Sequence, residues 1–250
     1  MLNYVKLCSA WGVHLFTASS GIIALLAFDA IALGNFNFAL QLIYLTVLID
    51  AVDGVFARKL QVAKLIPNFD GALLDYIIDF TTWVILPAFF LLKCNKLPDF
   101  WAYSCAVAIV LSSAYQFCCR DLKNQENTFK RWPSAWSVVI VCFILWDLPD
   151  FMFVPLVFLL SLLSFVPIYF IHSLRFNLFS DLEKKKDFLL SLALIIGSIL
   201  FNLSVFFSVY HYPEKFDFHL LYQKICVLVY FFLSFLLTFQ YKSSLRRQTM

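Results

Sequence analysis

The sequence predicts an all-α integral membrane protein with about eight transmembrane helices. Of its 250 residues, 62% are hydrophobic and only 14% are charged, whereas soluble domains are about half apolar and a quarter charged. The mean hydropathy is +0.83. Thirty phenylalanines against only six glycines favour lipid-facing helices over a loop-rich surface. This composition excludes an ordinary soluble domain, and no nucleic-acid partner is expected.

Apolar stretches of about 20 residues are long enough to cross a bilayer as helices. We predict spans at about 11–33, 37–57, 70–92, 99–119, 134–147, 151–171, 187–209 and 219–240. The fifth is the shortest, and the fifth and sixth can also be interpreted as a single hairpin. The polar stretches between the spans are too short for a separate soluble domain. We therefore expect residues 1–250 to form a single polytopic catalytic domain.

The distribution of positive charge predicts the orientation of the spans. Fifteen of the nineteen Lys and Arg residues lie on the side that holds both termini and the loops 58–69, 120–133 and 172–186. Because cytoplasmic loops carry an excess of Lys and Arg, both termini should be cytoplasmic. The first span is long for a signal peptide and contains polar residues, so we expect it to be retained.

Four aspartates dominate the functional interpretation. A carboxylate at membrane depth is expensive, and it persists only where it faces a polar cavity, a partner or a metal. The second span contains Asp50-x-x-Asp53-Gly54-x-x-Ala57-Arg58, and the third contains Gly71-x-x-x-Asp75-x-x-x-Asp79, with twelve residues between the two segments. In each segment the spacing places the aspartates on one stripe of a helix.

The depths of the aspartates match across the two spans. Asp50 and Asp79 each lie eight residues from the cytoplasmic end of their segment, which corresponds to about 12 Å. Asp53 and Asp75 are at shallower, nearly equal depths. Two adjacent antiparallel helices would therefore bring the four carboxylates together a few turns inside the cytoplasmic face.

Four bare carboxylates so close together would repel one another. Two Mn²⁺ or Mg²⁺ ions would relieve that repulsion, because these cations prefer hard oxygen ligands and also bind phosphates. Two metals about 3.5–4 Å apart can clamp the attacking and leaving oxygens of a displacement at phosphorus. The predicted metal ligands are Asp50, Asp53, Asp75 and Asp79.

Small residues and one arginine flank the aspartates. Gly54 and Ala57 share the stripe of the second span and leave room for a nucleotide. Arg58 offers a fixed positive charge to phosphate or ribose. Gly71 is a candidate binding residue through its spacing to the later aspartates, although a lone glycine there is more typical of helix packing. A single membrane aspartate is also typical of helix pairing or proton relay.

The pattern resembles the signature of the CDP-alcohol phosphotransferases, integral membrane enzymes of lipid synthesis. Their motif is D-x-x-D-G-x-x-A-R, a shorter gap, then G-x-x-x-D-x-x-x-D, and every signature residue is present here. The twelve-residue gap resembles the bacterial phosphatidylcholine synthase branch of that family. Further segments that resemble the branch lie at 13–19, 68–75 and 129–134.

This resemblance implies transfer of the phosphatidyl group of CDP-diacylglycerol to choline with release of CMP. It implies that the aspartates hold two divalent metals and that Asp79 is the general base for the choline hydroxyl. It also implies that Asp53, Gly54, Ala57 and Arg58 contact the CDP moiety. A multi-pass protein of the bacterial cytoplasmic (inner) membrane is expected, with membrane lipid as a partner and the active site facing the cytoplasm. A homodimer is implied by the resemblance alone.

The choline site is less constrained by the sequence. A quaternary ammonium is recognised by aromatic faces and carboxylates. At the expected depth the candidates are Tyr76 and Tyr115, with Trp132 and Trp136 nearby and Trp83 a turn deeper. For each of them, ordinary packing or anchoring at the membrane interface is the alternative.

Basic and polar residues near the cytoplasmic face have two interpretations. Arg120 and Arg175 lie at ends of spans, where they can contact phosphate or lipid headgroups. The alternative is anchoring to anionic lipid. His14 and Thr17 lie in the cytoplasmic half of the first span and either line the cavity or pack.

Two competing functions stay open at this stage. The first is a CDP-alcohol phosphotransferase that uses serine, inositol or glycerol phosphate. The second is a cation- or proton-coupled transporter that uses the carboxylates as a relay. A transporter predicts carboxylates that extend toward both membrane faces, whereas these four are confined to the cytoplasmic half.

Overall fold

The structure is a computed structural model that describes residues 2–119, 128–171, 185–214 and 217–248. Its helices are α1 (Leu2–Ala32), α2 (Phe36–Lys59), α3 (Val62–Leu65), α4 (Gly71–Asp79), a π-helical segment (Phe80–Ile85), α5 (Leu86–Lys93), α6 (Asp99–Cys118), α7 (Trp136–Leu145), α8 (Asp150–Leu163), α9 (Lys185–Tyr210) and α10 (Asp217–Gln248). Two short strands, β1 (Thr128–Lys130) and β2 (Tyr169–Ile171), pair antiparallel. The prediction of a helical chain is confirmed, with this short strand pair as an addition.

Four helices in the described part of the chain are long and apolar enough to cross a membrane. They are Tyr4–Ala32, Phe36–Lys59, Gly71–Lys93 and Asp99–Cys118, and they correspond to the first four predicted spans. The apolar helices Trp136–Leu145, Asp150–Leu163 and Ile196–Tyr210 are shorter. The total of eight spans and the cytoplasmic location of both termini therefore stay predictions.

The sixth predicted span extends too far. The sequence predicts it at about 151–171, but α8 ends at Leu163 and a turn leads into β2. Pro167 lies in this connection. Proline has no backbone N–H and disfavours helical geometry in the residue before it, so the helix does not continue to the predicted boundary.

The main core joins α1 and α2 to α5, α6, α7 and α8. Small residues of α1 in this core, such as Ala24 and Ala27, allow neighbouring helices to approach closely. Large side chains fill the rest, and the rings of Phe143 and Phe153 stack with their centroids 3.7 Å apart. This core holds α2, which carries Asp50 and Asp53, and the π-helical segment that follows Asp79.

The segment between the two aspartate motifs is folded. Val62 and Ile66, in and just after α3, join Ala10 and Val13 of α1 in a second small core. Asp70 then caps α4, since its side chain accepts a hydrogen bond of 2.9 Å from the backbone N–H of Leu73. The twelve-residue gap thus fixes where α4 begins.

The start of α7 is tied to α6. The Ser134 hydroxyl donates a hydrogen bond of 2.6 Å to Gln116, and the Trp136 indole donates one of 2.8 Å to the Ser113 hydroxyl. These are buried polar pairs, which cost free energy if they are broken. They hold α7 at a fixed height against α6.

The other end of α7 has polar links as well. The Trp146 indole donates to the side-chain oxygen of Gln223 in α10, and the Gln223 amide donates to Ser204 and Ser208 of α9. In the loop after α5, Lys96 forms an ion pair of 2.6 Å with Asp147. These contacts connect α7, α9 and α10 around one end of the cavity described next.

Candidate active site

Three of the four signature aspartates converge. One carboxylate oxygen each from Asp50, Asp75 and Asp79 can be chosen so that all three lie within 4.8 Å of one another. Asp50 projects from α2, and the other two are one helical turn apart on α4. All three side chains are half-buried. A donor set of three carboxylate oxygens suits a hard divalent cation.

Asp53 is in a different environment. Only 5% of it is exposed, and its Oδ2 accepts a hydrogen bond of 2.8 Å from the Thr17 hydroxyl of α1. Asp53 does not belong to the three-carboxylate group, although it lines the same cavity. Its role as a metal ligand stays a prediction, and the Thr17 hydroxyl helps to orient its carboxylate.

The aspartates open into a large cavity of about 630 Å³. Polar groups gather at one part of its wall, where the four aspartates, Gly54 and Arg58 lie. Most of the remaining wall is apolar and comes from α7, α8, α9 and α10. Such a cavity fits a ligand that combines a charged group with a long apolar portion.

The small residues of the first motif have different neighbours. A Cβ built on Gly54 would lie 3.2 Å from a guanidinium nitrogen of Arg58, so the missing side chain leaves room for Arg58 to fold back along α2. Ala57 packs against the small core of α1 and α3 and is not among the described residues that line the cavity. The predicted contacts of both residues with a nucleotide stay predictions.

Gly71 makes room for His14. A Cβ built on Gly71 would lie 2.4 Å from Cε1 of the imidazole, a separation that no side chain tolerates. The imidazole is buried, and the rings of Trp11 and Phe69 pack on it with centroid distances of 5.8 and 4.6 Å. Its Nε2 has no hydrogen-bond partner in the described ranges. His14 therefore packs at the start of α4 and is not among the residues lining the cavity.

The aromatic candidates for choline recognition separate into two groups. Tyr76, Trp83 and Trp132 line the cavity. Trp136 is fully buried in the core. Tyr115 is exposed and is not among the described lining residues; its ring packs on Phe165 at 4.7 Å, and the guanidinium carbon of Arg131 lies 5.9 Å from its centroid.

Two predicted residues cannot be placed, and two lining residues were not predicted. Arg120 and Arg175 lie outside the described residues. Gln116 of α6 and Asn202 of α9 also line the cavity, and sequence reasoning did not select them. Their polarity within apolar helices was the available signal, but neither belongs to a recognisable spacing.

Comparison with known proteins identifies the class to which this site belongs. Residues 13–167 match the family model described as CDP-alcohol phosphatidyltransferase, and this range includes both aspartate motifs. The chain belongs to the CDP-alcohol phosphatidyltransferase family. It is therefore a membrane enzyme of a family that is in general metal-dependent, and the resemblance read from the motif is confirmed.

Individual relatives are more specific. The phosphatidylcholine synthase of Legionella pneumophila is 35% identical over 207 residues, which cover 82% of this chain and 79% of the relative. The phosphatidylcholine synthase of Pseudomonas aeruginosa is 36% identical over 179 residues, which cover 72% of this chain and 75% of the relative. The phosphatidylcholine synthase of Borreliella burgdorferi is 34% identical over 171 residues, which cover 68% of this chain and 73% of the relative.

Proposed function

We propose that this chain is a phosphatidylcholine synthase. It transfers the phosphatidyl group of CDP-diacylglycerol to choline and releases CMP. The observation that carries the proposal is the convergence of Asp50, Asp75 and Asp79 within 4.8 Å in a chain about 35% identical to phosphatidylcholine synthases. The acidic cluster supports the transfer chemistry, and the relatives support choline as the acceptor.

Asp50, Asp53, Asp75 and Asp79 would hold two Mn²⁺ or Mg²⁺ ions. When bound, such ions would neutralise the diphosphate of CDP-diacylglycerol and stabilise the charge that develops on the departing CMP. The fit rests on the donor set, because clustered carboxylate oxygens are the ligands that both ions prefer. Thr17 keeps the Asp53 carboxylate oriented through its 2.8 Å hydrogen bond.

The protein's own residues bind the substrates and move the proton. Asp79 accepts the proton of the choline hydroxyl. The choline oxygen attacks the phosphorus that bears the diacylglycerol, and the bond from that phosphorus to the CMP oxygen breaks. Arg58 contacts phosphate or ribose of the CDP moiety. Gly54 lines the cavity and lets the nucleotide approach, whereas the nucleotide contacts that the family resemblance implies for Ala57 and Gly71 stay predictions.

The two ends of the cavity suit the other parts of the substrates. Tyr76, Trp83 and Trp132 line the cavity and are proposed to offer aromatic surface to the quaternary ammonium. The apolar wall, with residues such as Leu160 and Phe201, suits acyl chains. Arg120 and Arg175 are proposed to contact phosphate, and Tyr115 remains a candidate for choline.

The charge bias and the bacterial relatives support a location in the bacterial cytoplasmic (inner) membrane. In this location the acidic cluster opens toward the cytoplasm, where choline and CMP are soluble. We include in the proposal a homodimer and contact with membrane lipid. Site-directed labelling of a terminal cysteine in intact cells and in lysed cells tests the orientation.

The first experiment measures CMP release from CDP-diacylglycerol by the purified protein in detergent. Choline, serine, inositol, glycerol 3-phosphate and no alcohol are compared with Mn²⁺, with Mg²⁺ and with a chelator. Release that requires choline and stops on chelation supports the proposal. Release with another alcohol overturns the acceptor but keeps the family chemistry, and no release from a folded sample would favour the transporter.

The choline site needs its own measurement. Trp83→Ala should raise the KM for choline more than the KM for CDP-diacylglycerol, by about fivefold for the loss of one cation–π contact. The same pair of KM values for Tyr115→Ala tests the prediction made from the sequence. Equal effects on both substrates would count against an aromatic choline site at the residue concerned.

A further inference from the structure

The long apolar helix Gly71–Lys93 changes its hydrogen-bond register directly after Asp79. The segment Phe80–Ile85 is π-helical, and the backbone N–H of Leu86 donates to the carbonyl of Thr81, five residues back. Pro87 explains why the α-helical pattern stops. In an α-helix its ring would clash with the carbonyl four residues earlier, and it has no N–H to donate. A wider turn relieves that clash.

This change of register leaves the carbonyl of Thr82 without a backbone donor. The N–H of Leu86 would bond Thr82 in an α-helix, but it bonds Thr81 here. Pro87 would be the donor in a continued π-helix, but it has no N–H. The hydroxyl of Ser137 in α7 donates to the Thr82 carbonyl at 2.6 Å, and both residues are buried. Since an unpaired buried carbonyl is costly, this contact stabilises the π-helical turn.

The turn determines which way the aspartates face. A π-helical turn contains one residue more than an α-helical turn, and one residue corresponds to about 100° of rotation. Before the turn, α4 carries Asp75 and Asp79 toward Asp50. After the turn, α5 buries Leu86 and Phe90 in the core. A continuous α-helix could not make both sets of contacts. Either the aspartates would be rotated away from Asp50, or Leu86 and Phe90 would be rotated away from the core.

We propose that Ser137 is a positioning residue for the acidic site. Its hydroxyl holds the π-helical turn and thereby aims Asp79 at Asp50. This inference rests on the proposed function in so far as Asp79 acts in the phosphatidyl transfer. Ser137 is not among the described residues that line the cavity, and its hydroxyl bonds the Thr82 carbonyl, so its effect reaches the site through the helix.

The test compares Ser137→Ala with Ser137→Cys and with Ser112→Ala as a matched control. Ser112 is equally buried, but its hydroxyl bonds a carbonyl of its own helix. Ser137→Ala should lower kcat and Mn²⁺ affinity, the latter measured by electron paramagnetic resonance, by about tenfold for the loss of a buried hydrogen-bond donor. For Ser137→Cys, kcat and Mn²⁺ affinity should lie between those of the parent and of Ser137→Ala, because a thiol is a weak donor. Ser112→Ala should match the parent.

A second readout is independent of metal and activity. Asp50→Cys and Asp79→Cys are introduced together, and joining of the two peptides by a short bismaleimide is quantified by mass spectrometry. Adding Ser137→Ala should reduce the rate of joining, whereas adding Ser112→Ala should not. Unchanged joining and unchanged Mn²⁺ affinity in Ser137→Ala would overturn the inference. A parent protein that neither binds Mn²⁺ nor releases CMP would overturn the proposed function, while a slower joining rate would still support the role of Ser137.

Discussion

Replacing Gly71 with alanine should damage the site through a residue outside it. The added Cβ would lie 2.4 Å from Cε1 and 3.1 Å from Nδ1 of His14. Ordinary carbon–carbon contacts are about 3.5–4.0 Å, so the imidazole or the start of α4 must move by about 1 Å. The imidazole cannot swing away freely, because Trp11 and Phe69 pack on it.

The expected cost follows from this crowding. Overpacking of a buried site typically costs about 1–3 kcal/mol. A movement of α4 would also shift Asp75 and Asp79, which lie one and two turns further along the helix. Gly71→Ala should therefore lower both the thermal stability in detergent and the kcat for CMP release.

The assay separates packing from a direct nucleotide contact. His14→Ala alone removes ring contacts, and the double variant Gly71→Ala with His14→Ala gives the new methyl group room. If packing is the reason for the glycine, the double variant should recover most of the kcat lost in Gly71→Ala. Gly12→Ala is the matched control, because a Cβ there would meet no atom within 4 Å.

Two results would refute this reasoning. The first is a Gly71→Ala protein with parental stability and kcat. The second is a double variant no more active than Gly71→Ala but with a raised KM for CDP-diacylglycerol. That second result would assign Gly71 to the nucleotide, as the sequence pattern predicts.

Three further predictions concern single contacts. Thr17→Val should lower Mn²⁺ affinity and kcat, because it removes a hydrogen bond to the buried Asp53 carboxylate worth about 1.5–3 kcal/mol. Thr17→Ser should retain both the Mn²⁺ affinity and the kcat. A fully active Thr17→Val protein would contradict this prediction. Asp79→Asn should reduce CMP release by at least about 100-fold, the usual contribution of a general base, whereas Asp29→Asn, on an exposed part of α1, should not. Lys96→Ala should leave kcat unchanged and lower the free energy of unfolding by less than about 1 kcal/mol, because the ion pair is exposed. The hydrogen bond that the Lys96 ammonium donates to the Asp147 carboxylate raises the pKa of Lys96. This small contribution is therefore present at neutral pH and is lost as the pH rises beyond the ordinary lysine range; a stability difference that grows with pH would contradict the assignment.

Much of the acidic site could be predicted from the sequence because it depends on local periodicity. Asp75 and Asp79 are one helical turn apart, and their pairing with Asp50 needs only two adjacent antiparallel helices. The different environment of Asp53 could not be predicted, because it depends on Thr17, a residue 36 positions earlier whose hydroxyl reaches it across a helix interface. Spacing along one helix contains no information about such a partner.

The elements that interrupt helices were harder to predict. The π-helical turn comes just before Pro87, and the hydroxyl that bonds its Thr82 carbonyl belongs to Ser137 of another helix. Tyr115 was selected by its depth, but depth does not determine which face of a helix meets the cavity. Hydropathy alone predicts that the helix ending at Leu163 continues to 171, because it does not detect a turn inside an apolar stretch.

The order of the site residues along the chain has a consequence for biogenesis. Thr17 and all four aspartates are contributed by the first 79 residues, in helices that pack on one another, whereas much of the apolar wall comes from α7 to α10. Contacts between segments close in sequence form early, because little loop-closure entropy opposes them. The acidic cluster can therefore assemble while α8, α9 and α10 are still being synthesised. Changes in α8, α9 and α10 should then alter the choice of lipid and leave the ion-binding half intact.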